Sequence, residues 1–273
     1  MDALFKPESG LFLPTQSALG PWSSDRLHGG ATLGLLTHAA QTYVSDDQLR
    51  LCRLTADMFS PVPAQPLAVK ITPLREGKRI RLLQVSVWDG PGPDAREVTR
   101  ATALFLRPSD GSFHFLDDTP LPDHGDLPTR RLIKDRRMEK MRPGLHLVVE
   151  TRWPERVPSE PKAIWFRLPL PVVAGTSADP TVAAIALSDF NNAVCSIMAY
   201  EDGRPTAHIN TDTTFYLERP PVGDWFCLVA DRQSDADAIS IAQVTHYDER
   251  GRFGRSIQAR LENRFVPANE TKG

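Results

Sequence analysis

The chain has 273 residues, of which 41% are hydrophobic and 24% charged, with a formal net charge of −2 at pH 7. Those proportions are ordinary for a folded globular protein, and the length suits one large domain or two of usual size. Either can bury a core without metals or disulfides. The near-neutral balance provides no overall field for nucleic acid or an anionic membrane. Cys52, Cys195 and Cys227 are isolated and odd in number, which argues against a disulfide framework and for a reducing, cytoplasmic setting. No apolar run approaches the roughly 20 residues of a bilayer span. Lys6, Pro7 and Glu8 interrupt any signal-peptide core.

In chain order, Met1 to Pro21 reads as a Pro/Gly-punctuated lead-in. A helix opens at Leu27-His28-Gly29-Gly30-Ala31 and runs through Leu33, Leu35, Leu36, Ala39 and Ala40 to the Asp46-Asp47 stop. Leu51 to Met58 has strand-like spacing, and Leu67, Val69 and Ile71 alternate. Glu76-Gly77-Lys78 is a hairpin turn before a strand that starts at Ile80. Val85 and Val87 continue that strand on its other face, so a bulge or burial on both faces is expected. Gly90 to Pro93 breaks the chain, and Val98 to Leu106 makes a further strand. Pro108 to Gly144 is a linker. Its basic run (Arg130, Arg131, Lys134, Arg136, Arg137, Lys140, Arg142) reads first as a solvated face, with a contact to a ligand's phosphates as the functional alternative.

The second unit opens with an expected strand over Leu145, Leu147, Val149 and Thr151, then another over Ile164, Phe166 and Leu168. Ser177-Ala178-Asp179-Pro180-Thr181 is a helix-start signal. The helix is expected to cover Val182 to Tyr200 and to stop at Glu201-Asp202-Gly203. Strands follow at Ile209–Leu217, Trp225–Ala230, Ala238–Tyr247 and Arg255–Asn263. The tail after Phe265 is polar.

The layout therefore occurs twice. Phe59-Ser60-Pro61-Val62 is echoed by Glu218 to Val222, and Thr99 to Leu104 by Gly254 to Ala259. The offsets are 220 − 61 = 159 and 255 − 100 = 155. A period this long indicates a duplicated domain rather than a solenoid. The expected boundaries are 1–107 and 145–267, joined by a linker at 108–144 and followed by a tail at 268–273. One long helix on an antiparallel sheet is an α+β unit. Two such units can pair their sheets edge to edge and so cover exposed edges.

These segments resemble a known family. A helix starting His-Gly-Gly, the Pro-Val-Pro turn, the hairpin Leu74-Arg75-Glu76-Gly77-Lys78-Arg79 and the Ala-x-Ala strand look like a hot-dog fold. With Trp165-Phe166-Arg167, Asp189-Phe190-Asn191-Asn192, Asn210-Thr211-Asp212-Thr213, Arg219-Pro220 and Tyr247 to Gln258, the chain resembles the double hot-dog acyl-CoA thioesterases of the type II group. The resemblance implies a tandem double hot-dog, each unit a long helix wrapped by an antiparallel sheet. It implies an acyl-CoA substrate from lipid metabolism and further assembly into homo-oligomers through sheet or helix faces. In that family an Asp, a Ser or Thr and a Gln of the second unit hold and activate the water that attacks the thioester. Asp212 and Gln258 match the first and last. Ser234 is the better chemical candidate for the middle place, with Gln233 the rival register.

The chemistry of the trio stands beside the resemblance. A carboxylate can act as general base on water, and a Gln side chain can both donate to it and accept from it. Backbone N–H groups at a helix start can stabilise an oxyanion. That makes His28, Gly29 and Gly30 substrate-binding candidates, together with Asp189 and Asn192. Their plainer readings are helix packing for the glycines, a helix-start residue for His28 and a helix acid for Asp189. Cys195 and Cys227 sit in apolar strings and read as core. His208 and His246 lack the spacing of a metal site, and no cofactor is expected. The serines show no Gly-x-Ser-x-Gly elbow.

On the repeat alignment Asp212 falls opposite Arg53 and Gln258 opposite Ala103, which predicts one hydrolytic site per chain. Two other functions compete. One is an inactive acyl-CoA-binding protein. The other is a hydratase or dehydratase, which needs an Asp–His pair, and no clear His partner is read from the sequence for Asp189 or Asp212.

Overall fold

Helix α1 (Gly29–Tyr43) is buried at every position from Gly30 to Thr37, and again at Ala39 and Ala40. A helix with no solvated face must be enclosed by the rest of the chain. Leu33, Leu35 and Leu36 are fully buried, each contributing about 1.5–3 kcal/mol relative to exposure. The structure, a computed structural model, describes residues 2–109, 127–130, 142–153, 162–197 and 207–263.

The enclosing layer is made of strands β1 (Phe5–Glu8), β2 (Leu11–Pro14), β3 (Arg50–Met58), β4 (Ala68–Glu76), β5 (Ile80–Trp88), β6 (Glu97–Leu106), β7 (Thr129–Arg130), β8 (Glu150–Arg152), β9 (Lys162–Arg167), β10 (Ala207–Asn210), β11 (Asp212–Leu217), β12 (Trp225–Ala236), β13 (Ile239–Asp248) and β14 (Gly251–Asn263). Three shorter helices complete it: α2 (Leu145–Val148), α3 (Pro180–Leu187) and α4 (Asn191–Ile197). Twelve strands form one antiparallel sheet in the order β4-β5-β6-β3-β11-β14-β13-β12-β9-β8-β7, with β10 also on β14. The two halves meet edge to edge at β3 and β11, as expected.

The junction carries the duplication. Thr55 pairs with Thr214 across it, their hydroxyls 3.3 Å apart. Their separation, 214 − 55 = 159, is the offset of Pro61 and Pro220. Gly30 and Asp189, also 159 apart, are hydrogen-bonded to each other. Repeat-equivalent residues that touch lie beside an approximate two-fold axis.

Four expectations are corrected. The lead-in is a hairpin, β1 on β2, anchored by the fully buried Leu4 and Phe5. The expected strand at Leu145 is the helical turn α2, with strand pairing only from Glu150. A short apolar run cannot be assigned by period alone, and the Leu145 N–H bonds to Leu19 O rather than to a strand. The expected Ile209–Leu217 strand breaks at Thr211, whose N–H and hydroxyl both turn to Ala259 O.

The second-unit helix is not one long helix. It starts where expected, with Asp179 capping Thr181 and Val182 and Pro180 in the first turn. It is then interrupted by a 3-10 turn over Ser188–Phe190 before α4. The expected stop near Gly203 lies outside the described residues. No helix among the described residues is long and apolar enough to cross a membrane.

Candidate active site

Asp189 sits on that 3-10 turn and reaches the start of α1. Its Oδ2 is 2.9 Å from the Gly30 N–H and 2.9 Å from Nδ1 of His28, the N-cap residue. Its Oδ1 accepts from Asn210 Nδ2 at 3.0 Å. Gly30 N is also 3.1 Å from His28 Nδ1. Those contacts are mutually consistent when Nδ1 carries a proton and donates it to the carboxylate, with Gly30 donating to the same oxygen. Burial alone would raise the Asp189 pKa. The hydrogen bond and charge of His28, then Asn210 and Gly30, outweigh it and hold the carboxyl below its usual value. The positive end of the α1 dipole acts in the same direction.

Glycine is required at both positions of the α1 start. A Cβ on Gly29 would lie 2.8 Å from each Asp189 carboxylate oxygen, and one on Gly30 only 2.5 Å from Ala186 O. The close packing and the contact with the carboxylate are therefore one feature. Phe190 stacks on the His28 ring at 4.8 Å between centroids and fixes its plane.

A polar seam holds the helix break in place. On β14 the residues facing the helices, Ser256, Gln258 and Arg260, are all buried. Gln258 Nε2 donates to Thr213 Oγ1 at 2.8 Å and lies 3.4 Å from Ser188 O. Asn191 donates to Ser256 Oγ, which also contacts His246 Nε2 at 2.5 Å. Asn192 is held by Arg260 and by His208 O. The residues on either side of Asp189 are thus tied to one strand. Burial pushes His246 down to about 3, so a neutral ring meets the Ser256 hydroxyl. Ser188 itself bonds back to Ile185 O at 2.7 Å, which favours a local departure from helix.

The expected residues are distributed unevenly. His28, Gly29, Gly30 and Asp189 converge, and Gln258 lies one residue from Asp189 through its contact with Ser188 O. Asn192 is at the edge of this cluster as a structural tie. Asp212 does not join Gln258. It lies on the other face of β11, where its carboxylate accepts from the Ala259 N–H at 2.8 Å. Thr213, buried and facing the helices, is the residue beside Gln258. Gln233 and Ser234 lie on β12, but their side chains fall outside the described residues. Of the linker's basic run only Arg130 and Arg142 are described. No group of three or more metal-ligating side chains is found among the described residues.

Three residues of the cluster were not singled out from sequence: Thr213, Asn210 and His146. Thr213 and Asn210 lay within a segment already noticed. His146 had no signal beyond its type. It is 3% exposed on α2, and burial followed by the neighbouring His28 pushes it down to about 4, with the Arg142 backbone opposing.

The whole assembly is a hot-dog-type sheet wrapped on a buried helix, with a buried carboxylate and a part-buried imidazole where its halves meet. The family comparisons agree with that class. The acyl-CoA thioesterase N-terminal domain matches residues 18–106, and the acyl-CoA thioesterase C-terminal domain matches residues 117–261. The chain belongs to the acyl-CoA thioesterase family, and as a member it is a thioester hydrolase acting on acyl-CoA. No curated protein matches it.

Several solved structures share the fold. A hot-dog protein from Alicyclobacillus acidocaldarius aligns with TM-score 0.71 at 16% identity, covering 96% of each chain. The acyl-CoA thioesterase II TesB2 of Mycobacterium marinum aligns at 0.62 and 15% identity, covering 96% of this chain and 95% of that one. A trans-AT polyketide synthase dehydratase domain from Brevibacillus brevis aligns at 0.53 and 12% identity, over 88% and 86% of the two chains.

Proposed function

We propose that this chain, a tandem double hot-dog, hydrolyses acyl-CoA at one site built from both units. In this reading the water-activating trio is Asp189, Thr213 and Gln258, and His28 joins it from the first unit. The observation that carries the reading is the buried, ionised Asp189, held by Gly30, His28 and Asn210 one residue from the Gln258–Thr213 pair. Gln258 Nε2 already donates to Thr213, so the Thr213 hydroxyl proton is free to be donated. Gln258 Oε1 is buried without a partner among the described residues. One donor and one acceptor are what a held water needs, and Asp189 Oδ1 has a second lone pair for it.

As the water oxygen bonds to the thioester carbon, the carbonyl electrons move to oxygen. The water's proton passes to the Asp189–His28 pair. Collapse breaks the C–S bond, and the proton goes on to the leaving thiolate. The test is release of thiol from a chain-length series of acyl-CoAs by wild type and Asp189→Asn. Hydrolysis by wild type and its loss in the folded variant are expected. Equal rates would remove Asp189 from the chemistry. Acyl-CoA-induced thermal stabilisation without thiol release would make the chain a binding protein instead.

The 2.9 Å contact of His28 with Asp189 also favours a second reading, reversible hydration of a 2-enoyl thioester. That chemistry uses an imidazole held by a carboxylate to move a carbon-bound proton. Incubation with an enoyl-CoA separates the two: hydration removes the conjugated double bond with no free thiol, and hydrolysis releases thiol.

A further inference from the structure

The hairpin that joins β4 to β5 takes no part in the chemistry above. With the end of β6 it borders a cleft of about 640 Å³, lined by Arg75, Lys78, Arg79 and Arg107, with Ile80 and Leu106 as its apolar part. That volume lies in the range of small-molecule sites. Four cations gather there in a chain whose net charge is −2.

Arg107 is committed to the fold. Its guanidinium donates to Asp46 and Gln48 and, at 2.8 Å, to Lys78 O, and its backbone N–H donates to Arg79 O at 3.0 Å. The Gly77 N–H closes the turn on Ile80 O at 3.0 Å. The backbone that carries Lys78 and Arg79 is therefore fixed at the rim. Arg75, Lys78 and Arg79 are themselves exposed and make no ion pair among the described residues. Glu76, the one carboxylate of the turn, does not line the cleft.

Unpaired like charges repel one another and add nothing to folding. The duplication shows that the hairpin does not need them. Ile80 and Ile239 open the equivalent strands β5 and β13, and 239 − 80 = 159 is the offset of the repeat. The turn before Ile239 reads Ser234-Asp235-Ala236-Asp237-Ala238, with two acids and no base. One fold thus accepts either charge at this turn, and the cations of the first copy answer to something outside it. The cleft also lies away from the candidate active site. Asp46, which anchors Arg107, follows the C-terminal end of α1, whereas Asp189 touches its start. Fifteen residues of helix put those ends about 22 Å apart.

We propose that this cleft is a binding site for the diphosphate of a nucleotide. Arg75, Lys78 and Arg79 take the phosphate oxygens, because guanidinium forks and an ammonium suit them. The base covers Ile80 and Leu106, which are cross-strand neighbours. A free nucleoside diphosphate and the 3′-phosphoadenosine diphosphate half of coenzyme A carry the same chemistry. The site is independent of the hydrolytic reading.

The experiment is calorimetric titration of the full chain with ADP and with 3′-phosphoadenosine 5′-diphosphate. It compares wild type, the triple variant Arg75→Gln, Lys78→Gln, Arg79→Gln, and a control carrying Lys6→Gln and Arg250→Gln on exposed residues elsewhere. The triple variant is expected to bind ADP about 30-fold more weakly or worse, while melting with wild type. The control should bind as wild type does. Binding of 3′-phosphoadenosine 5′-diphosphate tenfold or more tighter than ADP would make coenzyme A the source, and equal or weaker binding a free nucleotide.

A wild type that binds neither probe at millimolar concentration would overturn the proposal. So would undiminished binding by the folded triple variant, or an equal loss in the control, since general charge would then be responsible. If the triple variant does not fold, Arg79→Glu decides: about tenfold weaker ADP binding supports the site, and wild-type affinity overturns it.

Discussion

Asp189 and Asp212 are both second-unit carboxylates, and their surroundings assign them different work. Asp189 is buried among three donors, whereas Asp212 caps a strand N–H on the far face of β11. Asp189→Asn should lower kcat by roughly 100-fold or more, the size of a general-base contribution. Asp212→Asn should leave kcat unchanged and cost at most about 0.5–1.5 kcal/mol of stability. Steady-state thiol release and denaturant unfolding of the two variants check both. The Asp189 pKa is lowered by its partners, so its ionised form persists to pH values below the ordinary carboxylate value of 3.8. Its stabilising contribution is complete above that value and is lost as pH falls through the lower folded pKa. An acid limb of the kcat/KM profile lying above the ordinary carboxylate range would place the water's proton on His28 rather than Asp189.

Two elements, the α1 start and the break between α3 and α4, put these groups in reach. Gly29→Ala would drive a methyl into both Asp189 oxygens. The carboxylate, at the end of a short side chain, must move, so turnover should fall steeply while most of the fold survives. Circular dichroism with thiol release measures this, and a Gly29→Ala protein of wild-type activity would show that the carboxylate position is not needed. Ser256→Ala would leave Asn191 Nδ2 and His246 Nε2 without their shared hydroxyl inside the core. A loss of about 1–3 kcal/mol is expected, measurable as a lower denaturant midpoint. Both elements were partly readable. The capping signal at Asp179-Pro180 placed the start of α3. The break at Ser188 was not readable, because it depends on bonds from Ser188 O, Asn191 and Asn192 to β14, some 65–70 residues away.

At the scale of the whole molecule, His146 and His246 are buried neutral, with values of about 4 and about 3 against an ordinary 6.5. Between the folded and unfolded values the unfolded chain binds protons that the native state refuses. Stability therefore falls as pH drops from about 6.5 toward 4, each such histidine adding a slope of about 1.4 kcal/mol per pH unit. His38, lowered by burial, acts the same way, while Asp231 and Glu218, raised by burial, oppose it at the acid end. Urea unfolding between pH 7 and 4.5 should show the decline, and His146→Leu should remove about one proton's share of the slope. An unchanged slope would mean that His146 is charged in the native state, or equally shifted in the unfolded chain.

The sequence by itself determined the parts that depend on local chemistry and on period. These were the first helix, the alternating strands, the duplication with its offset of 159 and the family resemblance. It also directed attention to Asn210-Thr211-Asp212-Thr213, within which Thr213 rather than Asp212 is the residue that touches Gln258. Successive strand residues face opposite ways, so Asp212 and Thr213 cannot both reach Gln258, and only the pairing of β11 between β3 and β14 decides which does. The His28–Asp189 contact was likewise decided by tertiary structure alone. The two residues are 189 − 28 = 161 positions apart, and neither carries a local signal for the other. They meet because duplicated helices pack across an approximate two-fold axis, and glycines at Gly29 and Gly30 let a carboxylate from one copy touch the backbone of the other.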